Sequence, residues 1–321
     1  MRKSLAYTLA LLTGLVGTLP IAAQDYPSKP IQLIVPFKPG GDVDLNARIT
    51  AKHLSGNLGQ PIVVVNTDGG GGNIAAHKLL DSAADGHTLL MFNTVLFTGP
   101  VAGSMDVTMD DFDIVSIGTY SDTLIWVTRA EAPYNTVEEL NAAVLAAPDT
   151  VSYAATVGAP SHLQAIAYER AIGGDLKKID TGSGVDKIVA AITGQVDVLT
   201  TNYSLVKDYV AAGQLKVLGT LGSERSTLLP DVATFAEGGV DFGANFNMFY
   251  VIVAPKGTPD AVKDAFAQAL QTTLEDPAVE AEFNASYFIA DFRGASEAYD
   301  YLKAIEPGFT AMTEMVAADR F

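Results

Sequence analysis

The stretch Ile31-Gln32-Leu33-Ile34-Val35-Pro36-Phe37-Lys38-Pro39-Gly40-Gly41-Asp42-Val43-Asp44 sets the reading of the chain. Its first five residues read as a buried strand. Two adjacent glycines then mark a turn, and Leu45, Ile49, Leu54 and Leu58 follow at helical spacings, with Asp44 where the helix N-cap would stand. Working outward, Pro61-Ile62-Val63-Val64-Val65 is a second strand, residues 73–82 form a helix, and Thr88-Leu89-Leu90-Met91-Phe92 is a third strand. Strand, glycine turn, helix, strand is the rhythm of βαβ units and a parallel sheet. The rhythm recurs, with strands at 125–127, 151–154, 196–199 and 217–219 and helices at 137–146, 161–171 and 185–193. A late strand at 249–253 leads through Pro255-Lys256-Gly257-Thr258-Pro259 into a helix at 260–275. There is no solenoid repeat and no long Pro/Ser linker.

The 321 residues include 37 acidic and 20 basic side chains, a net charge of −17. A chain of this length holds two packed cores, and with 48% apolar residues it is not disordered. The absence of cysteine excludes disulfides, thiolate metal sites, a cysteine nucleophile and a lipid-modified N-terminal cysteine. Its acidity argues against nucleic acid as a partner. Residues 1–23 read as a signal peptide: Arg2 and Lys3, an uncharged apolar run from Leu5 to Leu19, then Ile21-Ala22-Ala23. That run is short of the roughly 20 residues that span a bilayer. Cleavage after Ala23 would leave 18 basic against 37 acidic residues on an exported chain.

Glycine-rich or small-residue loops follow several strands, where ligands of open parallel sheets sit. They are Phe37 to Asp44, Asn66 to Asn73 with four consecutive glycines, Gly158-Ala159-Pro160-Ser161-His162, and Thr181-Gly182-Ser183-Gly184. Each opens a helix, so backbone N–H groups and helix dipoles can hold a carboxylate without a basic side chain. Lys38 is the only basic residue inside these loops, so the amides of Gly40, Gly41 and Gly182 are expected to meet the ligand charge rather than a cationic side chain. Each loop is also readable as an ordinary βα turn.

Rival chemistry is poorly supported. Gly70-Gly71-Gly72-Asn73-Ile74-Ala75 fits the dinucleotide pattern, but the next strand ends in Asn93-Thr94 with no acid for a ribose. No H-E-x-x-H, no metal-spaced cluster and no G-x-S-x-G elbow occurs, so no metal, no cofactor and no catalytic residue is expected. An exported α/β hydrolase with a dispersed triad is the alternative from another class. His162 reads as a packed or capping residue and Trp126 as core.

At these loops the chain resembles the substrate-binding receptors of tripartite tricarboxylate transporters, the Bug receptors. The resemblance runs from Tyr26-Pro27-Ser28-Lys29-Pro30-Ile31 through Val35 to Asp44, Leu58-Gly59-Gln60-Pro61, the glycine run, and Asp85-Gly86-His87-Thr88. It continues through Ser161-His162-Leu163, Gly194-Gln195-Val196-Asp197, Leu229-Pro230-Asp231-Val232 and Ala254 to Pro259. It implies a two-lobed, type II-like periplasmic binding fold, each lobe a mostly parallel sheet flanked by helices, with a ligand cleft between them. It further implies a monomeric, non-enzymatic receptor in the periplasm. This would capture a di- or tricarboxylate or related organic acid and deliver it to a membrane permease with one large and one small subunit. Carried onto this chain, the ligand contacts are Phe37, Gly40, Gly41, Asp44 and Thr94 from one lobe and Ser161, Thr181, Gly182 and Ser183 from the other. The expected lobes are 24–121 plus 246–321, and 122–245, with the chain crossing near 118–124 and 243–249. The chain departs from many members at Thr67-Asp68, Asp180-Thr181-Gly182 and Phe246-Asn247-Met248, near the pocket, which leaves the ligand's identity open.

Overall fold

The computed structural model describes residues 26–319 apart from 158, 183 and 245, so the expected signal peptide lies outside the described residues. Two sheets organise the chain. In the first half β1 (Ile31–Val35), α1 (Asp42–Leu58), β2 (Ile62–Asn66), α2 (Asn73–Leu80), β3 (Thr88–Phe92) and α3 (Val95–Val101) lead to the long β4 (Phe112–Ser121). Next come β5 (Leu124–Arg129), α4 (Val137–Ala146), β6 (Ser152–Ala155), α5 (Pro160–Ile172), β7 (Lys177–Asp180), α6 (Val185–Ile192), β8 (Val198–Asn202), α7 (Lys207–Ala211) and β9 (Leu215–Thr220). The chain ends with β10 (Met248–Pro255), α8 (Asp260–Leu274), α9 (Pro277–Ala285), β11 (Ile289–Gly294), α10 (Ala295–Thr310) and α11 (Thr313–Ala318).

The first sheet has the order β11-β4-β10-β3-β1-β2 and the second β7-β6-β8-β5-β9. Two α/β lobes result, as the sequence leads one to expect, but the sheets are mixed rather than mostly parallel. Among the strands described, parallel pairing of strand with strand is confined to β2-β1-β3 and to β7-β6-β8. The reason is the route of the chain. β4 ends at Ser121 and β5 begins at Leu124, so the chain enters the second sheet from the gap between sheets and runs away from it, antiparallel to β8. β10 enters the first sheet the same way and runs antiparallel to both β3 and β4.

Each sheet is cored by the residues its pattern selects. β1 sits between β2 and β3, with Leu33 opposite Val64 and Leu89, and the apolar residues of β1 are fully buried. All eight residues of β10 are buried between β3 and β4. In the second lobe Trp126 is buried, as the sequence suggests, with Tyr153 at 4.6 Å, Tyr168 at 4.9 Å and Phe235 at 5.0 Å between ring centroids. Such pairs contribute about 1 kcal/mol each beyond area burial.

Helix α1 begins at Asp42 with Gly41 as N-cap, three residues before the N-cap position expected at Asp44. Asp44 instead occupies the third helical position and reaches back, accepting the Gly40 N–H at 2.9 Å. The run Gly69 to Gly72 has positive φ at every residue, and a Cβ on Gly72 would stand 3.2 Å from the Phe92 ring. Backbone geometry therefore accounts for these four glycines.

Candidate functional site

The carboxyl ends of the parallel strands in both sheets open onto one cleft of about 170 Å³. Its first wall is the loop from β1 to α1, contributing Phe37, Lys38, Pro39, Gly41 and Asp42, with Asn93 and Val95 after β3. The second wall is Thr156, Ala159, Pro160, Ser161 and Gln164 around the start of α5, and Gly184, Val185 and Lys187 at the start of α6. The end of β8 adds Thr200, Thr201 and Asn202. At the mouth, Lys38 donates to the Asp186 carboxylate at 2.9 Å, an exposed bridge from one lobe to the other.

Of the residues singled out from sequence, Phe37, Gly41 and Ser161 line the cleft together. Ser161 is buried in the first turn of α5, and its Oγ accepts the Thr156 N–H at 3.1 Å, which leaves its hydroxyl proton able to donate. The others stand behind the walls. The Gly40 N–H is held by Asp44, whose carboxylate also accepts from Arg48 at 2.9 and 3.0 Å and from Asn66 at 2.9 Å. Burial pushes the Asp44 carboxyl up, but Arg48 and these donors outweigh it and hold its pKa low. Thr94 is buried beneath the cleft, donating to the Asn247 carbonyl at 3.4 Å. The Thr181 N–H donates to the Ala155 carbonyl at 3.3 Å, and the Gly182 N–H to Asp180 at 2.9 Å. The Gly182 carbonyl accepts a short hydrogen bond from the Thr156 hydroxyl. Ser183 lies outside the described residues. The amides of Gly40 and Gly182, expected to face the ligand, are thus committed to carboxylates of their own loops.

Several residues missed in the sequence dominate the cleft. Asp42 stands at the start of α1 and its Oδ2 accepts from Tyr250 at 3.0 Å and Asn93 at 3.4 Å. Burial pushes its pKa up, against these hydrogen bonds and the N–H groups of Asp42 and Val43. Asn202 donates to the Tyr250 hydroxyl at 3.5 Å and accepts from Ser121 at 3.1 Å. A polar chain therefore runs from the β4–β5 connection to the cleft floor. Lys187, in the first turn of α6, brings an ammonium into the cleft. It keeps some contact with water, yet burial pushes its pKa down to about 8, with only the field of Asp42 opposing.

His162 does not form a catalytic pair with Ser161. Its Nε2 meets Asp319 Oδ2 at 2.9 Å, and Asp319 Oδ1 meets Lys178 at 2.9 Å, so the end of the chain is tied to the second lobe. Among the described residues no group of three metal-ligating side chains occurs, and no helix is long and apolar enough to cross a membrane.

Residues 46–303 match the tripartite tricarboxylate transporter family receptor. BugT of Bordetella pertussis (strain Tohama I) is 32% identical over 275 residues, covering 83% of this chain and 82% of BugT. Two solved structures from Rhodopseudomonas palustris share the fold at 24% identity. MatC with bound malate has a TM-score of 0.78 and covers 91% of this chain and 99% of its own. A second protein, solved with adipate, has a TM-score of 0.81 and covers 91% and 97%. The family is one of solute receptors rather than enzymes. The chain belongs to the receptor family of tripartite tricarboxylate transporters.

Proposed function

We propose that the protein is an exported receptor that captures a small organic carboxylate in this cleft and delivers it to a tripartite permease of one large and one small subunit. The observation that carries this reading is the charge arrangement. In a chain of net charge −17, the starts of α5 and α6 and the Lys187 ammonium converge on one cleft between the lobes. Helix N-termini and a desolvated cation together favour an anion. Malate and adipate, in the structures from Rhodopseudomonas palustris, are both carboxylates. Phe37, Gly41 and Ser161 serve as ligand contacts in this reading, while Gly40, Asp44, Thr94, Thr181 and Gly182 shape the loops behind them. Ser183, expected as a contact from the sequence, lies outside the described residues.

The lobes would be 24–121 with 246–321, and 122–245, closing about the crossings near 118–124 and 243–249, although Asp319 after α11 reaches back to His162 and Lys178 of the second lobe; Lys38 and Asp186 meet across the cleft. Export follows from removal of residues 1–23, and the mature protein would work as a monomer in the periplasm without a cofactor. The test is a thermal-shift screen of the mature protein against organic acids. A true ligand at 100 times its Kd adds about 2.7 kcal/mol of stability and is recovered unchanged. Turnover of the ligand would favour the hydrolase, and no stabilisation by any acid would remove the reading.

A further inference from the structure

Lys187 is poorly placed for a structural role. It is the third residue of α6, where a cation stands against the positive end of the helix dipole. Its ammonium makes no ion pair or hydrogen bond with any described residue, and Asp42 is the one charge whose field favours it. The other basic side chain on the cleft, Lys38, is engaged by Asp186 at 2.9 Å. A second unsatisfied group lines the same cavity. Gln164 is 0% exposed, and neither its amide nitrogen nor its amide oxygen has a hydrogen-bond partner. Buried groups of this kind are costly unless something completes them. A carboxylate answers the donors of both, accepting from the ammonium and the amide N–H together, while the Gln164 amide oxygen would still call for a donor.

The rest of the lining restricts what carries that carboxylate. Phe37, Pro39, Val95, Leu124, Leu205 and Met248 offer carbon. The cleft of about 170 Å³ compares with an apolar cavity of about 150 Å³ that holds benzene. A second carboxylate on the ligand would find no unpaired cation among the described lining residues and would face the half-buried Asp42. Desolvating it there without a partner is unfavourable.

We propose that Lys187 is the counter-ion of the ligand, and that the cleft selects an organic acid bearing one carboxylate on an apolar body, a single ring or a chain of similar bulk, over di- and tricarboxylates. This rests on the reading of the cleft as a carboxylate site and narrows it.

The experiment is calorimetric titration of the mature protein and of Lys187→Met with benzoate, phenylacetate, hexanoate, succinate, citrate and the neutral benzamide. The best monoacid should bind the natural protein at least tenfold more tightly than succinate or citrate. Lys187→Met should lose about 30-fold or more of that affinity, the scale for truncating one side of a buried charge pair. Benzamide binding should change by less than about threefold, and Lys187→Arg should recover most of the monoacid affinity. The melting temperature of unliganded Lys187→Met should equal or exceed that of the natural protein, which separates loss of a ligand contact from loss of fold. Monoacid binding unchanged in Lys187→Met would overturn the assignment, as would succinate or citrate binding more tightly than every monoacid. If acids bind and Gly41→Val blocks them in either case, the carboxylate reading stands and this narrowing alone fails. If no acid binds, both fail.

Discussion

Replacing Lys187 by methionine in the unliganded protein should raise stability, and the gain should depend on pH in one direction. The ammonium is held in the cleft with its pKa near 8 instead of the usual 10.5, because burial disfavours its charged form more than Asp42 restores it. Below pH 8 both folded and unfolded chains carry the proton, and the folded chain bears the whole cost of desolvation. Between pH 8 and 10.5 the unfolded chain binds a proton that the folded chain has released, so stability rises with pH in that window. A depression of this size corresponds to roughly 3 kcal/mol, and contact with cleft water reduces it. Methionine keeps the unbranched stem and removes the charge. Urea unfolding of both proteins from pH 6.5 to 10 should therefore show Lys187→Met more stable by about 1–3 kcal/mol at pH 7, with the difference shrinking toward pH 10. Comparing the two proteins cancels the tyrosines and other lysines that titrate at the upper end. A difference that stays constant across the range would mean that the unliganded cleft opens far enough to hydrate Lys187, and the argument from desolvation would be refuted.

Other expectations follow from the walls of the cleft. Gly41 has φ of −81°, and a Cβ there would meet only the Lys38 carbonyl at 3.7 Å, so Gly41→Val should fold with a loss of no more than about 1 kcal/mol as a poorer N-cap while abolishing binding of the best acid in titration. Ser161→Ala removes the acceptor of the Thr156 N–H and should cost about 1 kcal/mol of stability; it should also weaken the acid by roughly 1–2 kcal/mol, and an unchanged affinity would confine Ser161 to pinning its loop. At Asp319, burial pushes the carboxyl up, but hydrogen bonds from His162 and Lys178 outweigh it and hold its pKa low, so it stabilises at neutral pH and the contribution is lost as pH falls through that lowered value. Asp319→Asn should therefore lower stability by about 2 kcal/mol at pH 7, with the gap to the natural protein closing under acid, as followed by urea unfolding at stepped pH.

How far the cleft could be read from sequence depended on which energy a residue answers to. The strands β1, β3 and β10 were legible because burial on both faces makes an apolar run, the edge strand β2 because its residues are apolar and β-branched although Val63 stays exposed, and the loops after β1 and β2 because glycine is needed where the chain turns. β4 was not, since Asp113, Ser116, Gly118 and Thr119 interrupt its apolar residues, and a strand paired on both sides by antiparallel neighbours tolerates this. Nor was α3, whose last turn holds Gly99 and Pro100 and which stands by packing rather than propensity. The glycine loops pointed to the right region and partly to the wrong atoms. A glycine N–H looks available in sequence, but an acid within a few residues captures it, as Asp44 does at Gly40 and Asp180 at Gly182. The residue that sequence reasoning most needed stood three positions beyond Gly184. Lys187 had a detectable signature, because a lysine in the first turn of a helix opposes the dipole and has to be held there by some other interaction. That interaction could not be found by spacing, since the groups that share the cavity with it, Asp42 and Gln164, belong to two other helices and one of them to the other lobe. Only the convergence of α1, α5 and α6 turns an unfavourable lysine into a candidate anion site, and that convergence is set by how the chain passes between the two sheets rather than by any local motif.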